Sequence, residues 1–168
     1  MIRFAKNSDL DSIEEVIKIA KKYMNDTGNT NQWIGTYPSR EVFQDDIEGK
    51  HLYVCENKEG IYAVFAFILG EEPNYSYIED GNWLNQEPYG TIHRIASNGK
   101  VKGVFKECAD FCKKITGNVR VDTHHDNYTM QHVIEKNGFQ KCGIIYMRNH
   151  AKRIAYQYVE TKETSGDL

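Results

Sequence analysis

Between Ser97 and Phe105 the chain reads SNGKVKGVF, with two glycines and two lysines just ahead of an apolar stripe at helical spacing: Val104, Cys108, Phe111, Cys112 and Ile115. That combination suits an anion. The first turn of a helix leaves backbone N–H groups without internal partners and carries the positive end of the helix dipole, and a phosphate or pyrophosphate satisfies both. Gly103 has no Cβ, so an anion can come close to the backbone, and Lys100 and Lys102 add charge. Three charge-assisted hydrogen bonds, at ~1.5–3 kcal/mol each, supply roughly 6 kcal/mol gross. The segment contains neither GxxxxGK[ST] nor GxGxxG, so it is not a P-loop or a dinucleotide fingerprint. Taken alone it is also a common kind of turn that binds nothing. Two other clusters carry less. His124, His125, Asp126 and His132 match no metal-ligand spacing, and no metal is expected. Cys55, Cys108, Cys112 and Cys142 form no CxxC pair; Cys108 and Cys112 share one helix face and read as small buried hydrophobes.

The elements that must position the turn are legible from periodicity. Met1–Ala5 alternates as a short strand, and Leu10, Ile13, Val16, Ile17, Ala20 and Met24 form a helical stripe. A short helix capped by Ser39 covers 39–47, followed by strands at 52–56 and 61–70 around a tight turn. Residues 71–90 are irregular and rich in acids and aromatics. A strand at 91–97 leads into the turn and a helix over 102–116; then come a strand at 119–123, a helix at 127–137 closed by Gly138, and strands at 141–148 and 153–159. The order is β-α-α-β-β-β-α-β-α-β-β. The fold class is therefore α/β: one domain over residues 1–160, a mixed, mostly antiparallel central sheet flanked by about four helices, and a flexible tail at 161–168. The net charge of −3 offers no basic footprint for nucleic acid. The best apolar run, Tyr62–Leu69, is too short for a membrane span, and no secretory leader is read at MIRFAKNSDL, so the expected location is cytoplasmic.

About 25 residues after the turn comes Asp122-Thr123-His124-His125-Asp126-Asn127, then Met130, Val133, Ile134, Glu135, Lys136, Gly138 and Phe139. An Asn opening a helix that ends in E-K-x-G-F resembles the second signature of the GNAT superfamily of N-acetyltransferases. The segment 100–105 resembles that superfamily's Q/R-x-x-G-x-G/A turn, with Lys100, Gly103 and Phe105 on its first glutamine or arginine, central glycine and last small position. Ile92–Ala96 is similar to the strand before it, and the likeness extends over residues 1–160. The resemblance implies an acetyl-CoA-dependent acyltransferase. Backbone groups around Ile95, Ala96 and Ser97 would pair with the pantetheine arm, the segment Lys100, Val101, Lys102, Gly103, Val104 and Phe105 would hold the pyrophosphate, and Asn127 would contact the CoA arm. Three positions depart from the pattern: Lys100 lacks the planar fork of an arginine, Phe105 is bulky, and Ile134 stands where many members carry a tyrosine that protonates the leaving thiolate. Tyr128 and Tyr146 are the nearest alternatives in sequence.

A lysine-like amine has a pKa near 10.4, so freeing its lone pair at pH 7 costs roughly 4.6 kcal/mol, and a general base lowers that barrier. Three catalytic candidates follow. Glu79 lies in the 71–90 segment among Tyr75, Tyr77, Trp83 and Tyr89. His93 precedes the turn, and alternation places it on the same face as Ile95 and Ser97, with Arg94 on the other, pairing an acid. His124 ends the strand before Asn127. Trp33, Tyr37, Trp83 and Tyr89, with Glu71, Glu72, Glu79 and Asp80, suit a cationic amine with an apolar body. The expected reaction is transfer of an acetyl group to a primary amine of a small molecule by direct attack on the thioester. A protein N-terminus or lysine as acceptor, and a non-catalytic CoA-binding domain on the same fold, are the alternatives. A homodimer through a sheet edge or the last strands is compatible with this reading.

Overall fold

Alternation along two neighbouring strands sets the layers. A computed structural model of the chain describes residues 1–161. Its elements are β1 (Ile2–Phe4), α1 (Leu10–Asp26), α2 (Arg40–Glu48), β2 (Leu52–Asn57), β3 (Gly60–Leu69), β4 (Gly90–Ser97), α3 (Val104–Ile115), β5 (Asn118–Thr123), α4 (Tyr128–Lys136), β6 (Gln140–Tyr146) and β7 (Lys152–Val159). On β2 and β3, Leu52, Val54, Val64 and Ala66 face the α1 stripe of Leu10, Ile13, Val16 and Ile17. The residues between them, Tyr53, Cys55, Ala63 and Phe65, face α3 and α4. The sheet order is β1-β2-β3-β4-β5-β7-β6. Every neighbouring pair is antiparallel except β4 with β5. Ser39 caps α2, accepting the Val42 N–H at 3.4 Å. The tail expected at 161–168 lies outside the described residues apart from Thr161.

The one parallel pair is short. β4 and β5 register only from Gly90↔Val119 to Ile92↔Val121, while Asp122 and Thr123 go on pairing with β7. The remaining five residues of β4, His93–Ser97, thus keep β3 on one side and leave the side toward β5 unpaired. β4 is also bulged: its register against β3 shifts between Val64 and Ala66, and Arg94 has φ 53°. A bulge breaks alternation. His93 and Arg94 therefore both turn to the α1–α2 face, where Arg94 holds Asp46 of α2, while Ile92 and Ile95 pack toward α3 and α4. This corrects the expectation that His93 shares a face with Ile95 and Ser97.

Residues 71–90 form a packed cover. Tyr75, Trp83 and Tyr89 are buried against Cys142, Ile145 and Ala155 of β6 and β7. The buried Arg120 guanidinium lies 4.0 Å from the Trp83 ring centre and 3.8 Å from that of Tyr89. These two aromatics are core, not an acceptor surface. The cysteines are free and buried, with the Cys55 and Cys108 sulfurs 3.7 Å apart. Contact with Cys55, then burial, pushes the Cys108 thiol up, and burial does the same to Cys112.

Candidate active site

The turn after β4 is built from side chains that fold back on it. Ser97 Oγ accepts the Gly99 N–H at 3.0 Å and Asn98 Oδ1 accepts the Lys100 N–H at 3.0 Å. Gly103 stands at the N-cap of α3 in the left-handed region, φ 72° and ψ 26°, where a side chain is strained. A Cβ built there would meet nothing within 4 Å, so the space beside this backbone is open. The first backbone bond of α3 runs from the Glu107 N–H to the Gly103 carbonyl, 3.1 Å. Among the described residues, the N–H groups of Val101 through Lys106 therefore have no partner. Six adjacent unspent donors at a helix N-terminus, flanked by the exposed Lys100 and Lys102, fit a pyrophosphate. Phe105 does not crowd them: its ring turns into the core, edge-on to Phe139 at 5.8 Å.

A cleft of about 770 Å³ runs from this turn through the gap between β4 and β5. It is lined by Ile92–Gly99, Val104 and Phe105, by Asn127, Met130 and Val133 of the α4 end, and by Trp33 and Tyr37 from the α1–α2 connection. Asn127 caps α4 through Oδ1, which accepts the Met130 N–H at 3.1 Å, and its Nδ2 donates to Gln32 Oε1 at 3.1 Å. Gln32 also accepts from Thr123 Oγ1 and the His124 N–H, both at 3.3 Å, fastening the α1–α2 connection to the end of β5.

Of the three candidate bases, the cleft receives one. His93 lines it, with Nε2 3.4 Å from Glu72 Oε2. That contact holds the Glu72 carboxyl below the usual range, against the opposing effect of burial. Glu79 is elsewhere. Its backbone pairs with Ile144 of β6, and its carboxylate accepts from Tyr146 at 2.5 Å and Tyr77 at 3.0 Å, outside the cleft lining. His124 is buried beneath the end of β5, stacked on His125 at 4.3 Å, and its Nδ1 accepts the Asp126 N–H at 3.0 Å. Burial lowers its pKa. His124, His125 and Asp126 bring ligand atoms within 4.8 Å of one another, a proximity that their spacing in sequence does not signal.

Three polar residues of the cleft that spacing did not single out are Asp122, Arg153 and Gln32. Asp122 follows the last residue that β5 pairs with β4, and it accepts from the buried Tyr75 hydroxyl at 2.6 Å, with Arg153 Nη1 at 3.6 Å. Ile134 is fully buried and offers no proton. Tyr128 is 72% exposed, and Tyr146 is taken by Glu79.

A sheet that splays beside a helix N-terminus with unspent amides is the architecture this chain shares with solved acetyltransferases. The chain is 31% identical to an acetyltransferase of the GNAT family from Streptococcus agalactiae 2603, each chain covered over 96% of its length, with a TM-score of 0.87. An acetyltransferase of the GNAT family from Listeria monocytogenes 4b F2365 shares the fold at 19% identity, with 95% of this chain and 94% of that one covered and a TM-score of 0.71. No family model matches the chain, and no curated protein matches it. The chain belongs to the GNAT superfamily of N-acetyltransferases.

Proposed function

We propose that the protein uses acetyl-CoA to acetylate a primary amine of a small molecule, with His93 as the general base. The observation that carries this reading is the course of the cleft: it starts beside the turn that bears the unspent amides, follows the open edge of β4 and is lined by His93, whose ring meets Glu72. When bound, acetyl-CoA supplies the acetyl group: the amine nitrogen bonds to the thioester carbon, the C–S bond breaks, and CoA leaves as the thiol.

The chain's own residues supply the rest. The amides of Val101, Lys102, Gly103, Val104 and Phe105, with Lys100 and Lys102 nearby, hold the pyrophosphate. Ile95, Ala96 and Ser97 offer backbone donors and acceptors to the arm, and Asn127 contacts it from α4. His93 takes the proton that the amine loses, and Glu72 orients the ring and stabilises the imidazolium that forms. With Ile134 in the core, the thiolate draws its proton from solvent. The four free cysteines suit a reducing cytoplasm. Among the described residues no helix is long and apolar enough to cross a membrane.

The test is thiol release from acetyl-CoA, read with DTNB across a panel of amines. His93→Gln is expected to lower turnover by ~10²–10⁴ with CoA affinity within about twofold. If CoA binds but no amine raises thiol release above hydrolysis, the reading fails. If His93→Gln turns over like the parent chain, His93 is not the base.

A further inference from the structure

The acceptor end of the cleft differs from the acidic surface that residues 71–90 suggest in sequence. Glu71, Glu79 and Asp80 do not line it. The one carboxylate that does, Asp122, already accepts from Tyr75 and faces Arg153. Glu72 is committed to His93. No acid is left to hold a cation in addition to the reacting amine, which disfavours polyamines and other polycations.

The cations are in surplus instead. Arg94, Arg148 and Arg153 line the cleft. Arg94 is spent on Asp46 through two bonds of 2.8 and 2.7 Å. Arg148, on the connection between β6 and β7, has no acidic partner among the described residues. Arg153 is only 11% exposed at its side chain, yet its pairing is incomplete. Its Nη2 donates to the Gln32 carbonyl at 2.9 Å, its Nη1 is 3.6 Å from Asp122, and its buried Nε has no partner. A guanidinium offers five N–H donors in a fork that matches a carboxylate, so an Arg148 without an acidic partner beside an Arg153 whose Nη1 meets Asp122 only at 3.6 Å favours an anionic group on the ligand.

Part of the lining is apolar. Ile19, Tyr23, Ile34 and Tyr37 line the same cleft although all four are exposed, Ile34 at 63% and Tyr23 at 53%. Exposed apolar side chains gathered at one concave site mark something that covers them.

We infer that the acceptor is an apolar or aromatic α-amino acid, its carboxylate read by Arg148 and Arg153, its side chain covering the Ile19–Tyr23–Ile34 wall, and its amine presented to His93. This rests on the acceptor site proposed above and deepens it. A peptide N-terminus has the amine and the side chain but an amide in place of the carboxylate, so the same test separates the two.

Four probes decide it: L-phenylalanine, L-phenylalaninamide, phenethylamine and L-serine. Each is measured for thermal stabilisation of the full chain in saturating CoA and for DTNB-detected acetylation. L-phenylalanine is expected to stabilise most and to show a kcat/KM at least tenfold above that of the amide, phenethylamine and L-serine. Arg148→Gln is expected to raise KM for L-phenylalanine about tenfold and to erase its preference over the amide. Equal or better binding and turnover of the amide or phenethylamine overturns the inference while leaving amine acetylation intact. Stabilisation by L-phenylalanine alone, with no thiol release from any probe, supports the inference and counts against the proposed reaction. No stabilisation by L-phenylalanine overturns the inference.

Discussion

Replacing Gly103 probes the anion cradle at the N-cap of α3. The residue sits at φ 72°, and a Cβ there meets no atom within 4 Å. Gly103→Ala therefore introduces strain without a clash, ~1–2 kcal/mol from the left-handed backbone of a residue with a side chain. That cost falls on stability in the free and CoA-bound forms alike, so CoA affinity should stay within about threefold. Gly103→Glu adds a carboxylate in the open space beside the turn that carries the six unspent amides. Displacing the pyrophosphate from one charge-assisted hydrogen bond costs ~1.5–3 kcal/mol. At 1.4 kcal/mol per tenfold, that is roughly 10- to 100-fold weaker CoA binding. The assay is calorimetric titration of CoA into both variants at low salt, repeated at high salt, where screening should narrow the gap. S-acetylpantetheine, which lacks the pyrophosphate, serves as the control and should be equally good or poor with either variant. If the glutamate and alanine variants bind CoA equally well, the pyrophosphate is not held at Gly103 and the reasoning is wrong.

Four further outcomes follow from the geometry. Glu79→Gln should leave turnover within about twofold across pH 6–9, because that carboxylate is held by Tyr146 and Tyr77 outside the cleft; a collapse of the DTNB rate would bring Glu79 back into the chemistry. Ile134→Tyr should lower stability by ~1–3 kcal/mol from overpacking a fully buried site, without raising turnover, as denaturant unfolding and the thiol assay would show. Asp46→Ala should cost ~3–5 kcal/mol, because it strands the Arg94 guanidinium that now makes two bonds to it; a loss under 1 kcal/mol in urea would refute that account of the bulge. Burial lowers the pKa of His124 from its ordinary value near 6.5, so below that value the unfolded chain binds the proton more readily than the folded one. Its contribution to stability is complete above about pH 6.5 and falls as the pH drops toward the lower folded value. His124→Asn, whose Oδ1 can accept the Asp126 N–H, should flatten stability over that window, and an unchanged slope would contradict the assignment.

The strands and helices were legible because each repeats over enough residues to declare its period, and their observed ends lie within about two residues of the pattern. The turn at 97–105 was legible for a different reason: glycine and lysine ahead of an apolar helix stripe is a local signal. What failed was long-range. Nothing near Glu79 indicates that Tyr146, 67 residues away, takes its carboxylate. Nothing near Trp83 and Tyr89 indicates that Arg120 lies against both rings. Composition alone therefore made residues 71–90 look like an acceptor surface when they are a packed cover. The face of His93 was misread for a subtler reason, since a bulge leaves no mark on the hydrophobic pattern and the inward turn of Arg94 depends on Asp46 in a separate helix. Asp122, Arg153 and Gln32 lie in the cleft because β5 ends beside β7 and the α1–α2 connection, which no single segment reveals.

The central claim is that acetyl-CoA lies between β4 and β5 with its pyrophosphate on the start of α3. The most direct measurement is a ¹H–¹⁵N titration of the labelled chain with CoA. The expected result is saturable shifts concentrated in the amides of Ile95–Ser97, Val101–Lys106 and the Asn127 region, with the Glu79 and Tyr146 amides unmoved. Saturable binding that shifts other amides and leaves Val101–Lys106 in place would contradict the account.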